Sequence, residues 1–304
     1  MTDRATGRLT LGPLLFHWPA AKRRDFYFRV ADEADVDAVY LGEVVCSKRE
    51  PFFEDEIEAV AARLAVAGKQ VVRSTLALIT LDRELVAARA LAGTGALVEA
   101  NDVACLQVVS DRPHVIGPYI NVFNEGACDY LVRSGAVRIV LPVEIAAPAI
   151  RVVAARAPET ELLVFGRQPL SVAMRCYHAR SHGLTKDACQ FVCGLDPDGL
   201  PADTVDGRSI LTVNGTQTMS NGYLVLLGEL AALRGMGVTH FRLSPQDIDM
   251  AAVARLYRAV LDGAQDPREA AVELRDLTEA VPWQNGFVHG REGLAWIEGR
   301  RLPT

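Results

Sequence analysis

The sequence predicts an α/β protein whose fold class is a (β/α)8 TIM-like barrel with a cysteine-bearing insertion near residues 170–220. Short apolar runs of strand length alternate with longer amphipathic stretches, and this alternation is typical of parallel βαβ units. The strand-length runs are almost continuously apolar, as expected of strands that are buried on both faces. Eight such strands within about 250 residues fit a closed barrel.

The first half of the chain supplies five of the predicted strands. In chain order they are RLTLGPLLF (8–16), DAVYLG (37–42), QVVRSTLAL (70–78), DVACLQVV (102–109) and PYINVF (118–123). Amphipathic stretches follow the first, second, third and fifth of these runs, and their periodicity predicts helices. These helices cover residues 20–34, 54–67, 82–97 and 125–134.

The second half supplies the remaining strands and the insertion. The strands are VRIVLPV (137–143), ELLVFG (161–166) and THFRLSP (239–245), and the helices cover 147–156, 221–234 and 249–263. Within the insertion, RSILTV predicts an extra strand and the following NG predicts a turn. No proline- or serine-rich linker divides the chain, so we expect residues 1–304 to form a single barrel domain that includes the insertion.

A doubly wound open sheet is the alternative fold. Such a sheet usually begins with a glycine-rich phosphate loop after its first strand. Here the first strand is followed by HWPAAKRR, with no G-x-G-x-x-G, and the chain also lacks a P-loop, an H-E-x-x-H and a G-x-S-x-G motif. The barrel is therefore favoured.

Composition narrows the class of function. The 304 residues are 50% hydrophobic and 23% charged with a net charge of -6, so electrostatic binding of nucleic acid is disfavoured. No basic N-terminal region precedes an apolar core, and no apolar run is long enough for a membrane span. We therefore expect a cytoplasmic protein with reduced thiols, in which clustered cysteines indicate a metal or catalysis.

Four of the six cysteines fall where a barrel places its functional loops. Cys46 follows the second strand, while Cys176, Cys189 and Cys193 lie in the insertion. Four converging thiolates suit zinc or an iron–sulfur cluster. The spacing C…C-x₁₂-C-x₃-C contains one closely spaced pair of cysteines, whereas structural zinc sites usually use two such pairs. The spacing therefore mildly favours a cluster over zinc. Cys105, inside a predicted strand, and Cys128, inside a predicted helix, are interpreted as core residues.

Other polar residues have two interpretations each. His178 and His182 are near enough in sequence to serve as base for a catalytic cysteine or as substitute metal ligands, although solvated histidines are the commoner case.

The same ambiguity holds near the strand ends. Glu43, Glu144 and Arg242 are candidates for substrate binding, while Arg73 and Glu144 could instead form a buried ion pair. The basic pair at 48–49 could attract an anion or belong to a solvated face.

A set of motifs from residue 8 to about residue 260 resembles the collagenase-like peptidase superfamily, in the branch that serves ubiquinone biosynthesis without oxygen. The motifs are YLGEVVCSKRE, GKQVVRSTLAL, NVFNEGA, LVRSGAVRIVLPVEI, AMRCYHARS, KDACQFVC, VNGTQTMS and FRLSPQ. The resemblance implies a [4Fe-4S] cluster held by Cys46, Cys176, Cys189 and Cys193. It also implies a heterodimer with the cluster protein UbiU and a lipid-carrier partner, UbiT.

The implied activity is hydroxylation of the aromatic ring of a quinone precursor, with prephenate implicated as the source of oxygen. Because four cysteines are present for four irons, we expect no open iron, which favours electron transfer or a structural role for the cluster. The alternatives are a non-catalytic module stabilised by zinc or by a cluster, and a peptidase or RNA-modifying relative in the same superfamily. The sequence does not identify which side chains are catalytic.

Overall fold

Eight parallel strands close into a barrel in the computed structural model, which describes residues 7–279 and 281–303. Each strand pairs with the next along the chain, and the last one closes the ring by pairing with both the first and the seventh. The strands are β1 (Arg8–Leu11), β2 (Ala38–Leu41), β3 (Gln70–Ser74), β4 (Leu97–Ala100), β5 (His114–Ile116), β6 (Ala136–Val140), β7 (Thr160–Val172) and, after the insertion, β11 (His240–Leu243). The predicted fold class is confirmed.

Helices connect these strands and form the outer layer. Their bounds are α1 (Ala20–Glu33), α2 (Glu54–Val66), α3 (Asp82–Gly93), α4 (Val103–Val109), α5 (Glu125–Arg133), α6 (Ala147–Ala154), α7 (Tyr177–Ser181), α8 (Leu230–Gly235), α9 (Met250–Leu261) and α10 (Pro267–Thr278). The helices predicted near 20–34, 54–67, 82–97, 125–134, 147–156 and 249–263 are confirmed to within a few residues.

Strand side chains alternate between two environments, as the period of two requires. Leu9 and Leu11 of β1 join the apolar core that packs under the helices. Thr10 between them faces the barrel interior, where its hydroxyl donates to Glu161 Oε1 of β7 at 2.6 Å. The interior is therefore polar at this level, while the main apolar core lies between the strands and the helices.

The insertion extends the barrel sheet with antiparallel strands. β7 continues beyond the barrel and pairs with β10 (Gln217–Val225), which pairs in turn with β9 (Ser209–Asn214) and then β8 (Leu200–Asp203). The predicted extra strand and NG turn are confirmed, since Asn214 pairs with Gln217 across the turn and Gly215 has φ +72°. A short strand, β12 (Trp283–Gln284), adds parallel to β10.

The strand predicted at 102–109 is wrong, because this segment is helix α4. Asp102 caps the helix by accepting the Ala104 N–H at 2.8 Å. The helix buries Cys105 and leaves Val103 exposed. The buried apolar residues therefore lie along one face of a helix. The true strand β4 comes earlier, at 97–100, and overlaps the helix predicted at 82–97 only at residue 97.

Two further predictions were wrong in the same way. Residues 118–120 form a 3₁₀ turn that Pro118 begins, and the strand of this unit, β5, lies just before it. Residues 221–225 belong to strand β10 instead of the helix predicted at 221–234, because they pair with β7 and β12; only 230–235 is α-helical.

Within the described residues, no helix has the length and apolar character needed to span a bilayer. The prediction of a single domain over residues 1–304 remains a prediction, and residues 1–6, 280 and 304 lie outside the described part.

Candidate metal centre

The four cysteines singled out by the sequence come together around one cavity. Cys46 lies just after β2, Cys176 precedes α7, and Cys189 and Cys193 belong to the loop that follows α7. All four are free thiols, and they line the cavity together with Lys48, Arg49, Lys186, Phe191, Val192 and Gly215. Segments that are up to 147 positions apart in the sequence, from 46 to 193, therefore meet at the carboxyl end of the barrel.

The separation of the thiols bears on the kind of metal they suit. Among the described residues, the one group of three metal-ligating atoms within 4.8 Å of one another belongs to His178, His182 and Asp196, so no three cysteine sulfurs are that close. Sulfurs about 2.3 Å from one tetrahedral zinc would stand closer together than this. A cubane, with an iron at each of four corners, needs wider spacing, and the all-thiol donor set fits it.

The cavity between the thiols measures only about 20 Å³, so a cluster would need the surrounding loops to open. In the loop carrying Cys189 and Cys193, the backbone of Gln190 and Phe191 has φ of 48° and 53°. Non-glycine residues in this left-handed region store backbone strain.

Burial favours the protonated form of three of the four thiols. Burial raises the pKa of Cys46, Cys176 and Cys193, and the guanidinium of Arg49 opposes this rise at Cys193. The Ala179 N–H points at Cys176 Sγ from 3.4 Å, which is the kind of donor that stabilises a thiolate. Metal loading therefore has to release protons.

Arg49 connects the barrel to the insertion beside the thiols. Its side chain is only 2% exposed, so the solvated-face interpretation of the pair at 48–49 is wrong for this residue. It donates to the Leu15 carbonyl at 3.2 Å and to Asn214 Oδ1 at 2.7 Å. Asn214 in turn donates to the Cys193 carbonyl at 3.0 Å. The Arg49 guanidinium therefore positions the segment that carries Cys193 through Asn214.

Lys48 makes a second connection across the site. Its ammonium donates to the carbonyls of Lys186 and Asp187 at 2.8 and 3.0 Å, just before Cys189. The turn that carries Cys46 is therefore tied to both halves of the insertion. The sequence offered Lys48 only as part of a basic pair that could attract an anion, and Asn214 only as part of the NG turn, although the CSKR and VNGTQTMS motifs contain them.

Glu43, a candidate for substrate binding, is occupied by the cysteine turn instead. Its Oε1 accepts the backbone N–H groups of Val45 and Cys46 at 3.0 and 3.1 Å. The other carboxylate oxygen lies 3.7 Å from Arg23. Glu43 therefore fixes the direction in which the chain presents Cys46.

Arg242, another candidate, lies in the barrel interior and is fully engaged there. It is bound at 2.7 Å by each of two buried carboxylates, Glu99 and Glu161, and its guanidinium lies 4.0 Å from the centre of the Tyr40 ring. Burial would raise the pKa of Glu161, but Arg242 and Arg138 lower it to about 2. Arg242 therefore has its charge neutralised by the protein itself.

Two cavities lie near these groups. The barrel mouth above Arg242 and Tyr119 holds about 30 Å³, which has room for water and is too small for an aromatic ring. A larger cavity of about 320 Å³ lies beside Glu43, between β3, α2 and α3. Its lining combines Glu50, Glu84, Arg23 and Arg73 with apolar side chains such as Ile57, Leu76, Ile79 and Leu91.

Several other sequence candidates do not line the cavity between the thiols. Glu144 is exposed, and Arg73 pairs with Glu58 at 2.8 Å, so the predicted ion pair between Arg73 and Glu144 is wrong. Cys105 and Cys128 are fully buried among apolar neighbours, as the core interpretation expects.

Comparison with known proteins adds a family and two structural similarities. The chain is similar to D-psicose 3-epimerase with D-tagatose from Clostridium cellulolyticum H10, with 11% identity, a TM-score of 0.40 and coverage of 90% of this chain and 100% of the other. It is also similar to dihydrodipicolinate synthase from Agrobacterium tumefaciens str. C58, with 10% identity, a TM-score of 0.36 and coverage of 88% and 79%. The model of peptidase family U32 matches residues 27–298. Because this match spans most of the barrel and the whole cysteine insertion, the chain belongs to peptidase family U32.

Proposed function

We propose that this chain is a UbiV-like protein, the iron–sulfur subunit that acts with UbiU in hydroxylating the ring of a quinone precursor without O₂. The observation that carries the proposal is the convergence of Cys46, Cys176, Cys189 and Cys193 on one cavity. The family match supports the superfamily, and the motifs around each cysteine favour this branch of it.

The four cysteines would hold a [4Fe-4S] cluster, which supplies one-electron transfer when bound. With a thiolate for every iron, no iron is left open to substrate. The chain's own contribution is to assemble the ligands: Glu43 directs Cys46, the Ala179 N–H faces Cys176, and Asn214 holds the Cys193 carbonyl.

Charge around the site suits a negatively charged group. Arg49, Lys48 and Lys186 are the cations that line the cavity, and Phe191 and Val192 limit access of water. The buried Arg49 and the half-buried Lys48 and Lys186 beside the thiolates favour the deprotonated ligands and the anionic cluster they hold.

The substrate ring fits best in the cavity of about 320 Å³ beside Glu43. Its volume is in the range of small-molecule sites, about 300–1,000 Å³. Apolar side chains of α2 and α3 would contact the ring, and Arg23 and Arg73 would face its polar substituents. The lining holds four carboxylates against these two arginines, so it favours a neutral ring over an anion such as prephenate. The polyprenyl tail would remain with the UbiT-like carrier.

Exposed apolar side chains on the cysteine segments offer a surface for UbiU. Phe52 is 45% exposed, Met174 64%, Tyr177 47% and Leu195 71%. Covering them in a heterodimer would also shield the centre from oxygen and water.

Anaerobic co-purification with UbiU tests the proposal. We expect four irons and four sulfides on this chain, and ring hydroxylation only when both proteins are present. Cys176→Ala should lose the iron and the hydroxylation, whereas the control Cys105→Ala, at a buried cysteine outside the centre, should keep both.

Two results would contradict the proposal. A Cys176→Ala variant that hydroxylates at the wild-type rate without iron would exclude a role for the cluster. A chain that carries one zinc at the cysteines under strictly anaerobic expression would instead support the non-catalytic, zinc-stabilised module.

A further inference from the structure

A second group of metal-ligating side chains lies beside the cysteines and is not used by the proposed function. His178 and His182 stand four positions apart, at helix α7 and its C-terminal cap, and Asp196 approaches them from the loop after Cys193. One ligand atom from each lies within 4.8 Å of the other two. Histidines spaced i, i+4 on a helical turn are a common source of two metal ligands.

His178 is held in the orientation of a metal ligand. It is fully buried, and its Nδ1 lies 3.3 Å from the Val213 carbonyl oxygen, which can only accept, so Nδ1 carries the proton. A backbone carbonyl on Nδ1 is the usual outer partner of a histidine that binds metal through Nε2.

The other ring nitrogen of His178, Nε2, has no hydrogen-bond donor from which it could accept. His178 Nε2 is buried and makes no hydrogen bond of acceptable geometry. Asp196 Oδ2 is nevertheless only 2.9 Å away. In the neutral ring two lone pairs would face each other at this distance, an arrangement that a bound cation relieves.

The other two ligands are well placed. The His182 ring is parallel to that of His178, with centroids 5.6 Å apart and an interplanar angle of 4°, and it is exposed to solvent. The backbone of Asp196 is fixed, because its carbonyl accepts from Asn214 Nδ2 and from the Gly199 N–H, each at 2.9 Å. The site is therefore open to solvent at His182 and is bounded by a fixed backbone segment at Asp196.

We propose that His178 Nε2, a ring nitrogen of His182 and the Asp196 carboxylate bind a divalent transition metal, zinc foremost, at a site separate from the four thiols. Two imidazoles and one carboxylate are a donor set that zinc accepts at about 2.0–2.2 Å. Three protein ligands leave a fourth position for water or a small anion at the exposed side.

Such an ion would connect the two segments that carry cysteines. His178 is two positions after Cys176, and Asp196 is three positions after Cys193. Metal binding would thereby restrain the loop between them, including residues 183–192. This inference does not depend on the proposed function, since the ligands are not cysteines and the role is assembly of the insertion.

Equilibrium dialysis of the full-length, anaerobically purified protein against Zn²⁺, followed by metal analysis, tests the site. Co²⁺ provides a second readout, because a histidine–carboxylate site gives d–d absorption without the near-ultraviolet charge-transfer band of thiolate ligands. The informative variants are His182→Ala and Asp196→Asn. His182 is exposed, so its removal should leave the fold intact, and Asp187→Asn is the matched control at an exposed aspartate of the same loop.

We expect wild type and Asp187→Asn to bind one Zn²⁺ beyond any metal at the thiols, and His182→Ala and Asp196→Asn to bind it at least tenfold more weakly. A chain with all four cysteines changed to serine should still give the thiolate-free Co²⁺ spectrum if it folds. Equal zinc binding by wild type and His182→Ala would overturn the proposal. So would an absence of this zinc in wild type, which would leave His178 and Asp196 as a plain ion pair.

Discussion

Arg49 Nη2 donates to Asn214 Oδ1 at 2.7 Å, although the two residues are 165 positions apart. Arg49 belongs to the turn after β2 and Asn214 ends β9, so this bond joins the barrel to the insertion. Asn214 also holds the Cys193 carbonyl. Together with the bonds of Lys48 to the Lys186 and Asp187 carbonyls, this buried guanidinium therefore sets the relative position of Cys46 and the insertion cysteines.

Replacing Arg49 with lysine keeps the charge and removes the fork of donors. One ammonium is not expected to reach both the Leu15 carbonyl and Asn214, so we expect the free energy of unfolding to fall by about 1–3 kcal/mol. Urea unfolding measures this change, and the iron bound per chain should fall with it. Arg208→Lys, at an exposed arginine on the β8–β9 hairpin, is the control and should be neutral. Equal stability of the two variants would show that the Arg49 contacts are dispensable.

Gly215 should tolerate no side chain, because two separate constraints act on it. Its φ of +72° disfavours other residues, and a Cβ there would lie 2.2 Å from Arg49 Nη2. Gly207 has φ +80° with nothing within 4 Å of its Cβ position, so it isolates the backbone effect. We expect Gly207→Ala to cost about 1 kcal/mol in urea unfolding and Gly215→Ala clearly more. Gly215→Ala should also lower iron binding, and a cost equal to that of Gly207→Ala would argue against the contact.

Removal of one charge from the barrel interior should be severely destabilising. Glu161→Gln leaves Arg242 with one carboxylate, Glu99, in a site where none of the three side chains is more than 5% exposed. Breaking a buried ion pair costs about 3–5 kcal/mol because the remaining charge is uncompensated.

Asp247→Asn is the control for this interior variant, since the pair of Asp247 with Lys22 is 35–40% exposed and such pairs contribute about 0–1 kcal/mol. Thermal and urea unfolding of both variants make the comparison. A small loss for Glu161→Gln, similar to that of Asp247→Asn, would mean that water or a rearranged neighbour compensates Arg242.

The sequence predicted the structure correctly where a residue pattern is compatible with only one local structure. Alternation of apolar runs and amphipathic stretches predicted the barrel, and NG after RSILTV predicted the hairpin turn, since both depend on local geometry. The segment at 102–109 has mostly apolar residues that suit either element. There the Asp102 cap, a local bond to the Ala104 N–H, and the position of β4 decided for a helix, and the position of β4 is set by tertiary contacts.

The site shows a similar division. Cys46 and the insertion cysteines could be associated from sequence, because loops after barrel strands gather at one face. The buried state of Arg49 and the bond that Glu43 makes to the Cys46 N–H could not, since they depend on distant segments such as the turn at Asn214. Residue type alone does not tell a solvated arginine from one that bridges two parts of a fold.

The pH dependence of stability should carry a signature of His240. Burial, together with the nearby Arg138, lowers the pKa of this histidine from 6.5 to about 4. The unfolded chain therefore binds a proton on His240 at higher pH than the folded chain does. Its stabilising contribution is fully present above pH 6.5 and is lost as the pH falls towards 4.

His240→Asn should flatten this part of the profile. We expect the difference in free energy of unfolding between pH 7 and pH 4 to shrink by up to about 3 kcal/mol relative to wild type. Urea unfolding at half-unit pH intervals measures it. Thr160→Val, which removes a buried hydroxyl without a partner at the start of the neighbouring strand β7, should shift the whole profile without changing its slope. An unchanged slope in His240→Asn would show that other groups, such as the half-buried His17, account for the acid sensitivity.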